Sequence, residues 1–360
     1  MKKSLLALAV LGAFAGAASA QSSVTVYGIV DLGFSSVDNG NAAGRVNGIN
    51  SGNQSASRIG FKGTEDLGNG LKALFQLEAT IAADTGNAFE RAANGSNVGG
   101  FNRFATVGLQ SATFGTVLLG RQTSVLKDAY DQIDPFGDGG AVGAISNIFF
   151  NGNQNGDFGR ISNSVKYTSN SFGGFKANVH YAFGETAGDT GANSSYGLGL
   201  GYANGPLNVQ FGYNNADQST FANPSVQQAK NKLTFLGATY DFGVIKLHGA
   251  YADTKLENTV ASTEQKFRNY MLGVSAPVGP GTIFASYSIN DNRTIDNADA
   301  KKAAIQYSYD LSKRTNLYTG YSYTSNDDLS RIGLGAIGNN AAGVTGESGS
   351  TFTVGIRHKF

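Results

Sequence analysis

The side chains in this chain best placed to do physical work are charges rather than nucleophiles. Four arginines, Arg58, Arg103, Arg121 and Arg160, fall at or beside stretches of alternating apolar and polar residues. Four aspartates, Asp128, Asp131, Asp134 and Asp138, crowd into the stretch between Gly120-Arg121-Gln122 and Asn163-Ser-Val-Lys-Tyr167. Guanidinium groups on one wall of a passage and carboxylates on the other create a transverse field. Such a field orients water dipoles and zwitterionic solutes, and its basic side favours anions. No bond is made or broken. The plainer reading of the same residues is solvated charge in a wide polar lumen.

Covalent chemistry has weaker candidates. Asp84-Thr-Gly86 and Asp189-Thr-Gly191 have the composition of an aspartic-protease dyad, in which two carboxylates share one proton. Neither follows directly on the apolar strand that such a site requires. The three histidines are His180, His248 and His358, and no serine or acid motif accompanies them. Gly197, Gly199 and Gly201 alternate within a strand pattern with no helix after them, which excludes a dinucleotide-binding turn. No histidine–carboxylate spacing marks a metal site. No cofactor is expected, and the chain is not read as an enzyme.

The aspartates sit in a long segment, 123–159, that shows no regular element beyond the turn signal Asp134-Pro135-Phe136-Gly137. A structureless loop of this length is uncommon in a compact domain unless it is functional. The expectation is a loop that folds back into a β-barrel and narrows it.

The remaining chain supplies a wall. In Val24-Thr-Val-Tyr-Gly-Ile-Val-Asp-Leu-Gly-Phe34, Val24, Val26, Val30, Leu32 and Phe34 share one face, and Thr25, Tyr27, Ile29 and Asp31 the other. This period of two marks a strand with one dry face. It recurs in Leu71–Glu78, Phe175–Phe183, Leu207–Tyr213, Ala303–Leu311 and Phe352–Phe360. Short connections, such as 66–69 and 203–206, alternate with long ones near 37–54, 84–100, 123–159 and 325–348. Together they join 16 strands, an even number that closes antiparallel with both termini at the short-turn end.

Alternation alone also fits a soluble sandwich. Three features favour lipid. Tyr181/Phe183, Tyr196/Tyr202, Tyr240/Phe242, Tyr321/Tyr323 and Phe360 cluster at strand ends, as interfacial aromatics do. The loops are long on one side only. Closure removes the edge strands that hydrocarbon would leave unpaired.

The start of the chain reads as an export signal: Met1-Lys2-Lys3, an apolar run of about 10 residues, then Ala18-Ser19-Ala20. A spanning helix needs about 20. Residues 1–20 are therefore expected to be removed, leaving Gln21 first and 21–360 as one barrel. Losing Lys2 and Lys3 leaves 25 of the 27 basic residues against 26 acids, a net charge of −1 that selects neither nucleic acid nor an acidic surface. The chain has no Cys, so no disulfide holds the exported protein. Its 39 Phe and Tyr argue against disorder.

Several stretches resemble a known family. They are Ser23-Val-Thr-Val-Tyr-Gly-Ile-Val-Asp31, Ser57-Arg-Ile-Gly-Phe-Lys-Gly-Thr-Glu-Asp-Leu-Gly-Asn-Gly-Leu-Lys-Ala73, Asn102-Arg-Phe-Ala-Thr-Val-Gly-Leu109, Phe114-Gly-Thr-Val-Leu-Leu-Gly-Arg-Gln122, Asn163-Ser-Val-Lys-Tyr167, Gly173-Gly-Phe175 and Gly355-Ile-Arg-His-Lys-Phe360. In order and spacing they resemble the general, trimeric porins of Gram-negative outer membranes, above all the beta-proteobacterial branch. The resemblance implies an all-β, 16-stranded antiparallel transmembrane β-barrel whose third external loop folds inward, assembled as a homotrimer. It also implies that Phe360 looks like the signal read by the outer-membrane assembly machinery; a girdle aromatic is the simpler reading of the same residue. The expected setting is outer-membrane lipid and lipopolysaccharide, and the expected cargo is small hydrophilic solutes and ions moving by passive diffusion.

Strand parity aims the arginines. Ile59 and Phe61 outward put Arg58 and Lys62 in the lumen. Phe104 and Thr106 outward put Arg103 inward, and Val165 and Tyr167 outward put Arg160 inward. Arg121 shares its face with Val117 and Leu119, which suggests an apolar patch under the inward loop. A charge on the lipid face costs about 2–4 kcal/mol at the midplane, so all four should avoid it. Two other classes remain, an outer-membrane barrel lipase or protease and an adhesive or structural barrel. Conduction by the purified protein separates both from a pore.

Overall fold

Alternating strands with one apolar face have two ways to hide it, against each other or against lipid. The computed structural model shows the second. It describes residues 23–42, 44–88, 100–137, 139–149, 158–218, 229–258, 263–332 and 343–360. The expected leader at 1–20 and Asp138 lie outside them.

The strands are β1 (Ser23–Asp38), β2 (Val46–Ser51), β3 (Arg58–Gly68), β4 (Leu71–Ala82), β5 (Asn87–Ala88), β6 (Phe104–Ser111), β7 (Gly115–Thr123), β8 (Arg160–Thr168) and β9 (Phe175–Ala182). They continue as β10 (Ser195–Asn204), β11 (Leu207–Gln218), β12 (Ala229–Asp241), β13 (Lys246–Asn258), β14 (Thr263–Val278), β15 (Gly281–Asn292), β16 (Ala300–Asp310), β17 (Thr315–Asn326) and β18 (Gly349–Lys359). All pairings are antiparallel between neighbours, and β1 pairs β18 from Ile29↔Lys359 to Asp38↔Ser350, which closes the ring.

Two segments are not separate staves. β2 lies beside the upper half of β1 and β3 beside the lower half, so the two form one wall strand interrupted at 52–57. β5 extends a hairpin from the end of β4. The wall therefore has 16 strands, as the alternation requires. The first long connection is shorter than 37–54, because β1 runs on to Asp38 and β2 resumes at Val46.

The interrupting excursion turns inward. Asp31 Oδ2 accepts the Gln54 amide at 2.8 Å and the Ser55 amide at 2.5 Å, and Tyr318 Oη donates to Asp31 Oδ1 at 2.5 Å. The buried carboxylate so pins β1, the excursion and β17 across the closing seam.

Burial is inverted relative to a soluble protein. Val24, Val26, Val107, Leu236 and Leu272 are exposed, while Asp31, Ser35, Asn214, Asn269, Ser322 and Thr353 are buried. A sandwich would bury the first set. Apolar outside and polar inside is the pattern lipid demands. Rings pair at the strand ends, with centroids 4.5 Å apart for Phe175–Tyr202, 4.6 Å for Tyr240–Phe242 and 4.9 Å for Tyr181–Phe183. At the β3–β4 hairpin Asn69 and Gly70 take φ of 51° and 75°, the left-handed pair that a two-residue hairpin needs. The turn thus sits slightly later than the expected 66–69.

Candidate functional site

The segment between β7 and β8 is the third external connection, and its described residues form three short helices rather than an irregular run. They are α1 (Val125–Tyr130), α2 (Gly140–Gly143) and α3 (Ser146–Phe149). Ser124 caps α1, its Oγ accepting the Lys127 amide at 3.0 Å, as serine does at helix starts. The expected turn is present, with the Gly137 amide donating to the Asp134 carbonyl at 3.0 Å.

This loop lies inside the barrel. Helix α1 rests on β10, β11 and β12, α3 on β14 to β16, and α2 on β16, β17 and β18. Leu126, Ala129, Tyr130, Ile133, Ile145, Ile148 and Phe149 form a dry core with the inward side chains Leu233, Phe235, Ala252, Met271 and Ala300. Glycine brings the loop down onto bare strand. A Cβ on Gly197 would lie 2.7 Å from Val125, on Gly237 2.8 Å from Ile133, and on Gly273 2.8 Å from Pro135. The all-glycine face at 197–201 is thereby explained in part: Gly197 receives the loop, while Asn178 and Gln210 fill the space beside Gly199 and Gly201.

Wall side chains then fasten it. The Val125 amide donates to His180 Nδ1 at 3.3 Å, and His248 Nδ1 donates to the Ile133 carbonyl at 2.7 Å. Asn290 Nδ2 donates to the Ile148 carbonyl at 3.2 Å. His180 and His248 do face inward, as parity requires, but both are buried as clamps. The two Asp-Thr-Gly triplets sit in separate external loops, and Asp189 Oδ1 accepts the amides of Gly191 and Ala192 in a local turn.

The loop occupies the side of the barrel made by β10 to β18. The arginines stand on the remaining side: Arg58 at the start of β3, Arg103 just before β6, Arg121 in β7 and Arg160 at the start of β8. They are close enough to act on one another. Arg58 feels the charge of Arg103, and Arg160 feels those of Arg103 and Arg121. Beside Arg121, β7 and β8 meet in a β-bulge whose extra residue lies in β8. Gly120 pairs with Ser164 but Gln122 with Ile161, and Gly120 takes φ of 114°. β7 itself keeps its alternation, with Gln122 buried and Arg121 opposite Ala105, so Arg121 stays on the parity of Val117 and Leu119. Those two residues are exposed on the lipid side and do not pack under the loop, contrary to the alternation reading. Arg121 Nε donates to the Asn102 carbonyl at 2.6 Å, and Nη1 to Ser162 Oγ at 2.7 Å.

The carboxylate that meets the arginines is one that sequence reasoning passed over. Glu78, on the polar face of β4, is 4% exposed. Its Oε1 lies 2.5 Å from Arg103 Nε, its Oε2 3.9 Å from Arg58 Nε, and Oε2 accepts the Tyr27 hydroxyl at 2.9 Å. Among the described residues, no ion pair joins these arginines to Asp128, Asp131 or Asp134. Asp128 accepts from Lys166 Nζ at 2.7 Å and from Thr123 Oγ1 at 2.6 Å. Asp131 pairs with Lys127 at 2.8 Å, one helical turn away. Asp134 is buried and accepts the amides of Phe136 and Ile145. The cause is helical: α1 turns Leu126, Ala129 and Tyr130 to the dry wall and so aims Asp128 back toward β8.

At the seam, Phe360 exchanges backbone hydrogen bonds with Gly28, both at 3.1 Å, and its ring covers the space where a Gly28 side chain would stand. His358 Nδ1 lies 2.8 Å from Thr315 Oγ1 on the exposed face.

The family model for Gram-negative porins matches residues 7–329. Outer membrane porin protein 32 of Delftia acidovorans is 42% identical, with all of both chains covered. Major outer membrane protein P.IB of Neisseria gonorrhoeae is 31% identical over 88% of this chain and 91% of its own. Among solved structures, the anion-selective porin from Comamonas acidovorans superposes with a TM-score of 0.84 at 36% identity, covering 94% of this chain and 100% of that one. With a closed barrel, an inverted surface and an occupied lumen already in view, the conclusion is direct: this chain belongs to the Gram-negative porin family, and it is an outer-membrane channel for the general diffusion of small hydrophilic solutes and ions.

Proposed function

We propose that this pore passes anions in preference to cations, with Arg58, Arg103, Arg121 and Arg160 as the selecting wall. The observation that carries the reading is the imbalance there: the guanidinium groups of Arg58, Arg103 and Arg160 crowd together, and one carboxylate, Glu78, is in ion-pair contact with this trio among the described residues. A lumen wall of excess positive charge raises the local anion concentration. The anion selectivity of the Comamonas acidovorans relative supports the same sign. The loop acids Asp128, Asp131, Asp134 and Asp138 are the opposing group in this reading. The first three shape the loop and its lysine contacts, so their share of the field is smaller than that of an unpaired set.

The biological unit we infer is a homotrimer in outer-membrane lipid and lipopolysaccharide, exported through a cleaved leader at 1–20. Phe360 is its signal to the assembly machinery, and the exposed apolar belt supports a lipid-facing and partner-facing outer surface.

The test is the reversal potential of the refolded 21–360 chain in a planar bilayer under a salt gradient, native against Arg58→Glu. The expected result is anion preference that falls by several-fold or inverts in the variant, since one reversal changes the local charge by about two units. An unchanged reversal potential would remove the arginine wall from the explanation.

A further inference from the structure

Below the loop, toward the short-turn end, the lumen opens into a side pocket of about 300 Å³. Its ceiling is the underside of the turn, Pro135 and Phe136, and its flank is Phe284 of β15. The two rings lie with centroids 6.1 Å apart at an interplanar angle of 44°. The floor is basic: Arg357 of β18, Lys359, and Lys313 and Arg314 of the β16–β17 turn, with Asp310 the one acid in the lining among the described residues.

Arg357 is preset. Its Nε donates to Asn316 Oδ1 at 2.9 Å and Nη1 to Ser55 Oγ at 2.8 Å, while no described residue accepts from Nη2. A guanidinium held by two bonds loses little freedom when it takes a third partner. The basic patch is continuous with the arginine wall. Arg58 feels the charge of Arg357, and Lys359 feels both Arg357 and Arg58. An anion leaving the wall therefore meets a second positive station that, unlike the first, has an aromatic side.

We propose that this pocket is a binding station for small carboxylates that carry an apolar ring, the carboxylate on Arg357 and the ring against Phe284 and Phe136. It deepens the proposed anion preference and rests on that reading for the supply of anions. An aliphatic acid as small as acetate makes only the first contact. A ring adds an aromatic contact, and the volume holds one ring with its carboxylate.

The experiment is chloride current through the refolded 21–360 chain in a planar bilayer, with sodium benzoate or sodium acetate added on either side. Benzoate is expected to reduce the current at about a fifth of the concentration that acetate needs, with the stronger effect from the short-turn side. Phe284→Ala should raise the half-blocking benzoate concentration to that of acetate and leave acetate unchanged. Arg357→Gln should weaken both acids, and Arg314→Gln, on an exposed turn, should weaken both by a smaller factor. Equal block by the two acids in the native channel, or discrimination that survives Phe284→Ala, would overturn the proposal. The salt-gradient reversal potential of the same channels keeps the two readings apart. Anion preference without ring discrimination removes only the pocket, and ring discrimination without anion preference removes only the arginine wall.

Discussion

Arg103 Nε sits 2.5 Å from Glu78 Oε1, and the same carboxylate reaches toward Arg58 and takes the Tyr27 hydroxyl. One wall acid thus moderates two wall arginines. Glu78→Gln keeps the shape and removes the charge. Breaking a buried pair costs about 3–5 kcal/mol. Arg58 and Arg103 keep 26% and 13% of their side-chain surface open to the lumen, so solvent screens much of that loss. The expected cost is about 1–2 kcal/mol. The variant should unfold at lower temperature in detergent while its reversal potential shifts further toward anions. A shift toward cations would contradict this role for Glu78.

His248 holds the Ile133 carbonyl at 2.7 Å and lies 3.0 Å from Ser275 Oγ. Replacing it with alanine leaves a buried carbonyl without its donor, at a cost of about 1–3 kcal/mol. The His248→Ala channel should open at near-native conductance but with larger current noise, because the anchor is lost between α1 and α2. Noise spectra at fixed voltage check this, and a quiet trace would show that the apolar underside alone fixes the loop.

Gly237 and Gly249 make a matched pair. A Cβ on Gly237 would strike Ile133 at 2.8 Å, whereas on Gly249 the nearest atom, on Leu272, is 4.0 Å away. Gly237→Val should cost about 1–3 kcal/mol through overpacking and change single-channel conductance by lifting the loop off the wall. Gly249→Ala should leave conductance alone. Equal behaviour of the two variants would refute close seating of the loop.

Gly28 faces the ring of Phe360 so closely that its own Cβ would fall 2.4 Å from the ring. Gly28→Val should displace the terminal ring and lower refolding yield into detergent, read as the fraction migrating as heat-modifiable barrel. Native yield would separate the ring's seating from assembly.

Most of the wall was legible because period two is a local signal, but β6 was turned the wrong way: Thr106 is buried while Val107 and Leu109 face out, and Arg103 meets Glu78 from just before the strand. In β1, Val24, Val26, Val30 and Phe34 declare their face without help from other strands. The bulge at Gly120 was not legible, since it depends on how β7 pairs with β8. Glu78 stood on the correct face, but nothing in its neighbourhood announces two arginines brought to it from β3 and the start of β6. The loop helices did leave a mark: Ser124 as cap, then Val125, Leu126, Ala129, Tyr130 and Ile133 at helical spacing. Reading 123–159 as irregular hid that mark and left Asp128 facing the wrong way. The clamps His180 and His248 carry no motif, because a hydrogen bond to a loop backbone needs no partner side chain.

The seam between β1 and β18 sets the order of events in making the barrel. Every other wall pairing joins strands close in sequence, but Ile29↔Lys359 joins residues from opposite ends of the chain. Closing a loop of that length costs on the order of 5 kcal/mol in chain entropy, concentrated in one step. Until the last strand arrives, the sheet has two bare edges that lipid cannot hydrate. The final dozen residues therefore act as a completeness check: a chain that stops before β18 has all its earlier hairpins and still no ring.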